Sequence, residues 1–210
     1  MCETTNQEVW LGCVSTDMAR HVTFGHDLFS TSLPAELRRF ACLRFEELWD
    51  LHPHVFHTVR QPFTAKMIPL PRWQQAYGRD YAYTGNVNVA LPVPPILKPF
   101  LAWARAAIDG RLNGLVLNWY DGARRHYIGA HRDSTIGLVS NTPIVTISLG
   151  TTRVFRLRPR RGKGRADFRV AHGTVFVMPW QTNRNTTHEV PHQKSVIGRR
   201  ISITVRAFEA

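Results

Sequence analysis

His131-Arg132-Asp133, with His188 further along and Arg200-Ile-Ser-Ile-Thr-Val-Arg206 behind it, is the group of residues most capable of chemistry in this chain. Side chains on an extended segment alternate between faces, so a His and a carboxylate two positions apart point the same way and can converge on one ion. His188, 55 residues after Asp133, adds a third ligand from a distant part of the chain. Two imidazoles and one carboxylate on one face of an octahedral ion leave positions open, which suits non-haem Fe(II) and oxygen chemistry. Arg200 and Arg206, beyond the last of these residues, can hold a dianionic co-substrate through bidentate, charge-assisted hydrogen bonds.

The elements that must position these residues change character near Gly114. A helix is expected after Ser32-Leu33-Pro34, with Ser32 as its cap, Pro34 in the first turn and Glu36 near its positive end. Leu37, Phe40, Ala41, Phe45, Leu48 and Trp49 recur at three-four spacing, and the helix should run to about Leu51, where His52-Pro53 ends it. A second helix follows Val93-Pro94-Pro95-Ile96-Leu97, buries Leu97, Leu101, Ala104 and Ile108, and stops at Asp109-Gly110. Between them, residues 63–85 read as irregular surface, broken by Pro69 and Pro71 and carrying Trp73, Tyr77, Tyr81 and Tyr83 among polar residues. After Gly114, β-branched and aromatic runs at 115–120, 144–149, 154–157, 174–178 and 201–205 are separated by turn residues and predict short strands. The fold class is therefore mainly β with flanking helices. A double-stranded β-helix, or jelly roll, removes exposed edges and brings distant strands around one cavity.

A chain of 210 residues is expected to be a single domain, 1–210, since domains run to roughly 100 to 200 residues. It divides into an N-terminal extension and helix (1–62), a recognition lid (63–92), a supporting helix (93–113) and the jelly-roll core (114–210). Twenty-seven Lys and Arg against fifteen Asp and Glu give a net charge of +12, the footprint of a polyanionic partner. The densest basic run, Arg156 to Arg165, is bounded by strands, so a hairpin loop would lay Arg158, Arg160, Arg161, Lys163 and Arg165 along phosphates. Cys2, Cys13 and Cys42 lack C-x-x-C spacing, which excludes a disulfide framework or zinc cluster and points to a reducing compartment. No apolar run approaches the ~20 residues of a membrane span, and no secretory signal is visible. An intracellular protein of the nucleus or cytoplasm, not secreted and without membrane contact, is expected.

The ordered pattern Asn118-x-Tyr120, His131-x-Asp133, Pro143-Ile144, Ser148-Leu149-Gly150, Gly173, His188 and Arg200-x5-Arg206 resembles the AlkB family of Fe(II)/2-oxoglutarate-dependent dioxygenases. The resemblance extends from about residue 64 to the C-terminus. Pro71-Arg72 through Tyr77-Gly78, and Tyr81-Ala82-Tyr83, are most similar to the eukaryotic nucleic-acid demethylase branch. It implies His131, Asp133 and His188 as iron ligands, with 2-oxoglutarate and O2 as co-substrates. It further implies Tyr120 and Arg200 at the distal carboxylate of 2-oxoglutarate, Asn118 nearer the metal, and Ser202 where the family often has Asn. Arg206 would meet the carboxylate end nearest iron or steady Asp133.

The implied substrate is DNA or RNA with an alkylated or methylated base, oxidised with release of succinate, carbon dioxide and formaldehyde. Tyr83 would stack on the flipped base opposite the His131 ring, with Tyr81 lining the same lid and Arg72, Trp73 and a wedge-like Phe63 as further nucleic-acid contacts. Ser134 and Thr135 stand where family members carry an acidic residue that reads the base edge, so a neutral or differently modified base comes into view. The same iron chemistry on a protein side chain or small molecule, and an inactive jelly roll that only binds nucleic acid, are the alternatives. A monomer is expected.

Overall fold

In the computed structural model, which describes residues 18–60, 66–83 and 85–210, the first elements are β1 (Ala19–Thr23) and β2 (His26–Ser32). They form a hairpin whose turn residues Phe24 and Gly25 have φ of 56° and 76°, the two-residue geometry that matches strand twist. Helices α1 (Ala35–Leu43) and α2 (Phe45–Trp49) follow, then β3 (Thr58–Arg60), β4 (Met67–Pro69), β5 (Trp73–Tyr77), β6 (Tyr81–Tyr83) and β7 (Asn86–Asn88). A 3-10 turn at Pro95–Leu97 leads into α3 (Lys98–Ala107). The second half holds β8 (Gly114–Asp121), β9 (Ile128–His131), β10 (Ile144–Gly150), β11 (Arg153–Pro159), β12 (Ala166–Val170) and β13 (Thr174–Met178). Helix α4 (Trp180–Asn185) then precedes β14 (Thr186–Val190) and β15 (Arg199–Arg206).

Seven antiparallel strands form the major sheet in the order β1-β2-β13-β10-β15-β8-β5, and four form the minor sheet, β12-β11-β14-β9. Together they make the jelly-roll core of a mostly β protein. Strand periodicity then sorts the residues of the major sheet. Ile201, Ile203 and Val205 of β15, with Leu115, Leu117 and Trp119 of β8, enter the large apolar cluster that also contains Leu48, Phe100 and Ala104 of the helices. The alternate residues Arg200, Ser202, Thr204 and Arg206, with Asn118 and Tyr120, face the other way and line an internal pocket. A second cluster, Leu28, Ile144, Phe155, Leu157 and Phe176, joins the two sheets. Both faces of the central strands are thus covered, and all but the first residue of β15 is buried.

Gly150 ends β10 at φ 85°, and a Cβ there would lie 2.4 Å from the Arg199 carbonyl oxygen and 2.8 Å from the Phe45 ring. Only glycine allows α2 and β15 to close on this strand end.

Several expectations for the first half are corrected. Ser32 does not cap a helix; its backbone pairs with Thr174 at the end of β2, and Pro34 takes the cap position without a side-chain hydrogen bond. The helix is interrupted at Arg44 (φ −107°) and ends at Trp49. The segment 1–62 is more than an extension and a helix, because β1 and β2 extend the major sheet. The stretch read as irregular surface contains β5, whose five residues are all buried and which pairs with β8 from Trp73↔Trp119 to Tyr77↔Leu115. A strand covered on both faces shows no alternation of polar and apolar residues, which is why its pattern looked shapeless. Phe63 lies outside the described residues.

Candidate active site

The register of the minor sheet sets His188 directly opposite His131 across the β14–β9 ladder, with ring centroids 4.3 Å apart. Asp133, two residues beyond, turns its Oδ1 to both rings, 3.7 Å from Nε2 of His131 and 3.7 Å from Nε2 of His188. One donor atom from each of the three lies within 4.8 Å of the others. The Nδ1–H of His131 donates to the Gly129 carbonyl at 2.9 Å, which fixes the tautomer and leaves the Nε2 lone pair pointing into the site. Burial, assisted by His131, pushes His188 down to about 3, so this imidazole stays neutral and can donate a lone pair. Burial pushes the Asp133 carboxyl up, but Arg206 and the two imidazoles outweigh it and hold the group well below the usual carboxylate range.

Two further contacts steady Asp133. Arg206 donates from Nη2 to Oδ2 at 2.6 Å, leaving Oδ1 for the site. Asn183 of α4 grips the backbone reciprocally: its Oδ1 accepts from the Asp133 N–H at 3.0 Å, and its Nδ2 donates to the Asp133 carbonyl at 3.1 Å. Asn183 escaped the sequence reading because a lone Asn fifty residues away carries no local signal.

Behind the triad, Arg200 is 1% exposed and sits opposite Tyr120 in the β15–β8 ladder, its guanidinium 5.1 Å from the ring centroid. Nη2 donates to Ser148 Oγ at 2.9 Å, while Nε and Nη1 have no protein partner. Burial pulls this guanidinium down to about 10, although Tyr120 opposes the shift. A buried cation with two unpaired donors, in a pocket that also holds Asn118, Tyr120, Ser202 and Thr204, matches the need of a carboxylate ligand.

A larger cavity of about 420 Å³ opens on the same metal-side residues, and Arg72, Gln74, Tyr81, Tyr83, Asn118, His131 and Asp133 stand in its wall. The Tyr81 and Tyr83 rings stack at 5.3 Å, and the Tyr81 hydroxyl accepts from the Ser134 N–H at 3.2 Å. Trp73 is not in this wall. It points to the opposite face of β5, 5% exposed, between the His52 ring at 4.2 Å and the Phe56 ring at 5.2 Å, so its expected contact with nucleic acid is replaced by core packing. Ser134 and Thr135 also stay out of the wall; Ser134 Oγ accepts from the Ile136 N–H at 3.3 Å. Arg132, between the two ligand candidates, also borders the cavity, and its Nη1 donates to the Arg184 carbonyl at 3.4 Å.

On the β11–β12 hairpin, Arg156 pairs with Asp167 and Glu189, and Arg158 with Glu189 at 3.0 Å, whereas Arg160, Arg161, Lys163 and Arg165 are exposed. Among the described residues no helix is long and apolar enough to cross a membrane.

The sequence model of the 2OG-Fe(II) oxygenase superfamily matches residues 25–206, a span that contains the triad and both arginines. The chain belongs to this superfamily. Fe(II), 2-oxoglutarate and O2 are the cofactors this oxygenase family uses, and the His-Asp-His donor set fits them. The oxygenase is 28% identical over 152 residues to the human DNA oxidative demethylase ALKBH2, covering 67% of this chain and 58% of that protein. It is 28% identical to the rat alpha-ketoglutarate-dependent dioxygenase alkB homolog 3, covering 66% of this chain and 50% of that protein. It thus spans little more than half the length of these curated relatives. The structure of OsALKBH1 superposes with a TM-score of 0.58 at 13% identity, over 90% of this chain and 99% of that one, and shares the fold.

Proposed function

We propose that this oxygenase uses Fe(II), 2-oxoglutarate and O2 to oxidise alkylated or methylated bases in DNA or RNA, releasing succinate, carbon dioxide and formaldehyde. The observation that carries the reading is the 420 Å³ cavity walled by the stacked Tyr81 and Tyr83, which opens on His131 and Asp133. The similarity to a protein named as a DNA oxidative demethylase and the +12 charge support the same substrate class.

In this reading His131, Asp133 and His188 would hold the iron. Bound together, the metal and its co-substrates supply the oxidising power for hydroxylating a C–H bond. Arg200, with its unpaired Nε and Nη1, takes the distal carboxylate of 2-oxoglutarate beside Tyr120, while Asn118 and Ser202 line its path. Arg206 keeps Asp133 ionised and oriented. A base flipped from its stack, at a cost on the order of a few kcal/mol, is received between Tyr83 and the His131 ring. An N-methyl group hydroxylated there falls away as formaldehyde without any nucleophile from the protein. Arg160, Arg161, Lys163 and Arg165 are exposed, whereas Arg156 and Arg158 are held by Asp167 and Glu189, and these four offer phosphate contacts.

The test is a panel of oligonucleotides carrying different N-alkyl bases, followed by mass detection and formaldehyde release at controlled salt. Demethylation of at least one, abolished in Tyr83→Ala with metal binding retained, is expected. Consumption of 2-oxoglutarate with no change in any oligonucleotide would overturn the reading.

A further inference from the structure

We infer that, within the demethylase reading just given, the cavity selects a neutral base whose methylated nitrogen is flanked by two carbonyl oxygens, of thymine or uracil type. A cationic, amino-bearing base of adenine or cytosine type fits it poorly.

The inference begins with Arg72. It is 7% exposed, yet the partners that hold it are uncharged: Nε donates to Asn118 Oδ1 at 2.7 Å and Nη2 to Gln74 Oε1 at 3.0 Å. A guanidinium withdrawn from water without a carboxylate beside it is costly, and it is retained where it meets something from outside the fold. The two amide oxygens are committed to Arg72, so the remaining polar end of each amide is an NH2 donor.

The rest of the wall has the same polarity. The Tyr81 hydroxyl oxygen accepts from Ser134 N–H, which leaves its proton to donate. Among the described residues Asp133 is the one carboxylate in the wall, and its Oδ2 is taken by Arg206 while Oδ1 faces the two imidazoles. Ser134 and Thr135, on the loop just beyond it, bring no charge and do not reach the wall. The described residues of the cavity therefore present donors and positive charge, with no free acceptor of full negative charge.

Base edges divide along this line. Beside the methylated nitrogen, thymine and uracil present two carbonyl acceptors, adenine presents an exocyclic amino donor, and cytosine and guanine present one of each. Methylation at N1 of adenine or N3 of cytosine also leaves the ring positively charged near neutral pH; methylation at N1 of guanine or N3 of thymine or uracil leaves it neutral. The first pair sets an amino donor against donors and cation against cation. 3-Methylthymine and 3-methyluracil set carbonyl oxygens against the N–H groups of Arg72, and 1-methylguanine, neutral but with one amino donor, stands between.

The iron-loaded full chain is given an equimolar mixture of single-stranded oligonucleotides that differ only in carrying 1-methylguanine, 3-methylthymine, 1-methyladenine or 3-methylcytosine. Mass spectrometry follows all four in one vessel, so metal loading and co-substrate binding cancel from the ratios. A preference of roughly tenfold or more for 3-methylthymine over 1-methyladenine and 3-methylcytosine is expected, the size of one matched polar pair at a base edge, with 1-methylguanine between them. Arg72→Gln should shrink it. Equal turnover, a preference for 1-methyladenine and 3-methylcytosine, or a ratio unmoved in an Arg72→Gln protein that folds normally by circular dichroism would overturn the inference while the demethylase reading stood. If none of the four is demethylated while other N-alkyl bases are, only the inference falls; if no modified base is changed, the demethylase reading falls with it.

Discussion

Arg206 donates from Nη2 to Asp133 Oδ2 at 2.6 Å, and the other oxygen of the same carboxylate stands 3.7 Å from the Nε2 atoms of His131 and His188. One oxygen is held by the protein and the other is presented to the site. The Arg206 guanidinium also lies 4.6 Å from the centroid of Tyr81, so a single side chain ties the triad to the cavity wall.

Arg206→Gln removes the charge that keeps Asp133 ionised and oriented. Loss of such a supporting contact lowers metal affinity about 10- to 100-fold, and breaking a buried ion pair costs roughly 3 to 5 kcal/mol of stability. Titration with Mn(II) or Co(II) and thermal denaturation measure the two effects separately; unchanged metal affinity would remove Arg206 from the supporting role.

His131→Ala and His188→Ala each delete one of three donors. Metal binding and 2-oxoglutarate consumption should both disappear, with the fold retained by circular dichroism. Turnover surviving either change would refute the assignment of the triad.

Arg200→Met should separate stability from function. The guanidinium is buried with Nε and Nη1 unpaired, so an apolar side chain of similar length is expected to leave the ligand-free protein as stable or more stable by about 1 to 4 kcal/mol. Affinity for 2-oxoglutarate should fall at least about a hundredfold, since charged hydrogen bonds contribute roughly 1.5 to 3 kcal/mol each. Calorimetric titration of 2-oxoglutarate and a melting curve decide the matter, and a destabilised protein with normal affinity would assign Arg200 to the core.

Asn183→Ala leaves the Asp133 N–H and carbonyl without their partners in a buried place, a loss of roughly 1 to 3 kcal/mol. The melting temperature should drop and metal affinity should weaken with it, because the clamp fixes the backbone from which a ligand projects.

Replacing Arg160, Arg161, Lys163 and Arg165 together by Gln should spare the fold, all four being exposed. Binding to an oligonucleotide should weaken and its dependence on log[salt] should flatten by about 0.7 per lost phosphate contact on a single strand. Fluorescence anisotropy across a salt series is the measurement. An unchanged slope would place the nucleic-acid path elsewhere.

Spacing alone determined a good deal of this protein. Two-residue periodicity puts His131 and Asp133 on one side of an extended segment, although β9 itself ends at His131, and it separates Arg200, Ser202 and Arg206 from Ile201, Ile203 and Val205, because successive side chains on a pleated chain must alternate. The apolar strands β8, β10, β11, β13 and β15, and the stripe of Leu97, Ala104 and Ile108 along and flanking α3, were legible in the sequence, whereas β9, β12 and β14, two of which carry the histidines, were not. Tertiary structure decided what periodicity cannot encode. The register that sets His188 against His131, the reach of Asn183 to the Asp133 backbone and the pairing of β1 and β2 with the major sheet are long-range contacts. β5 was hidden because burial on both faces erased its alternation, and with it the fact that Arg72 turns into the cavity while its neighbour Trp73 turns into the core. The donor types that could hold a metal were written in the chain; which of them meet, and which cation is left facing the cavity without a carboxylate, depended on how two sheets close around a shared interior.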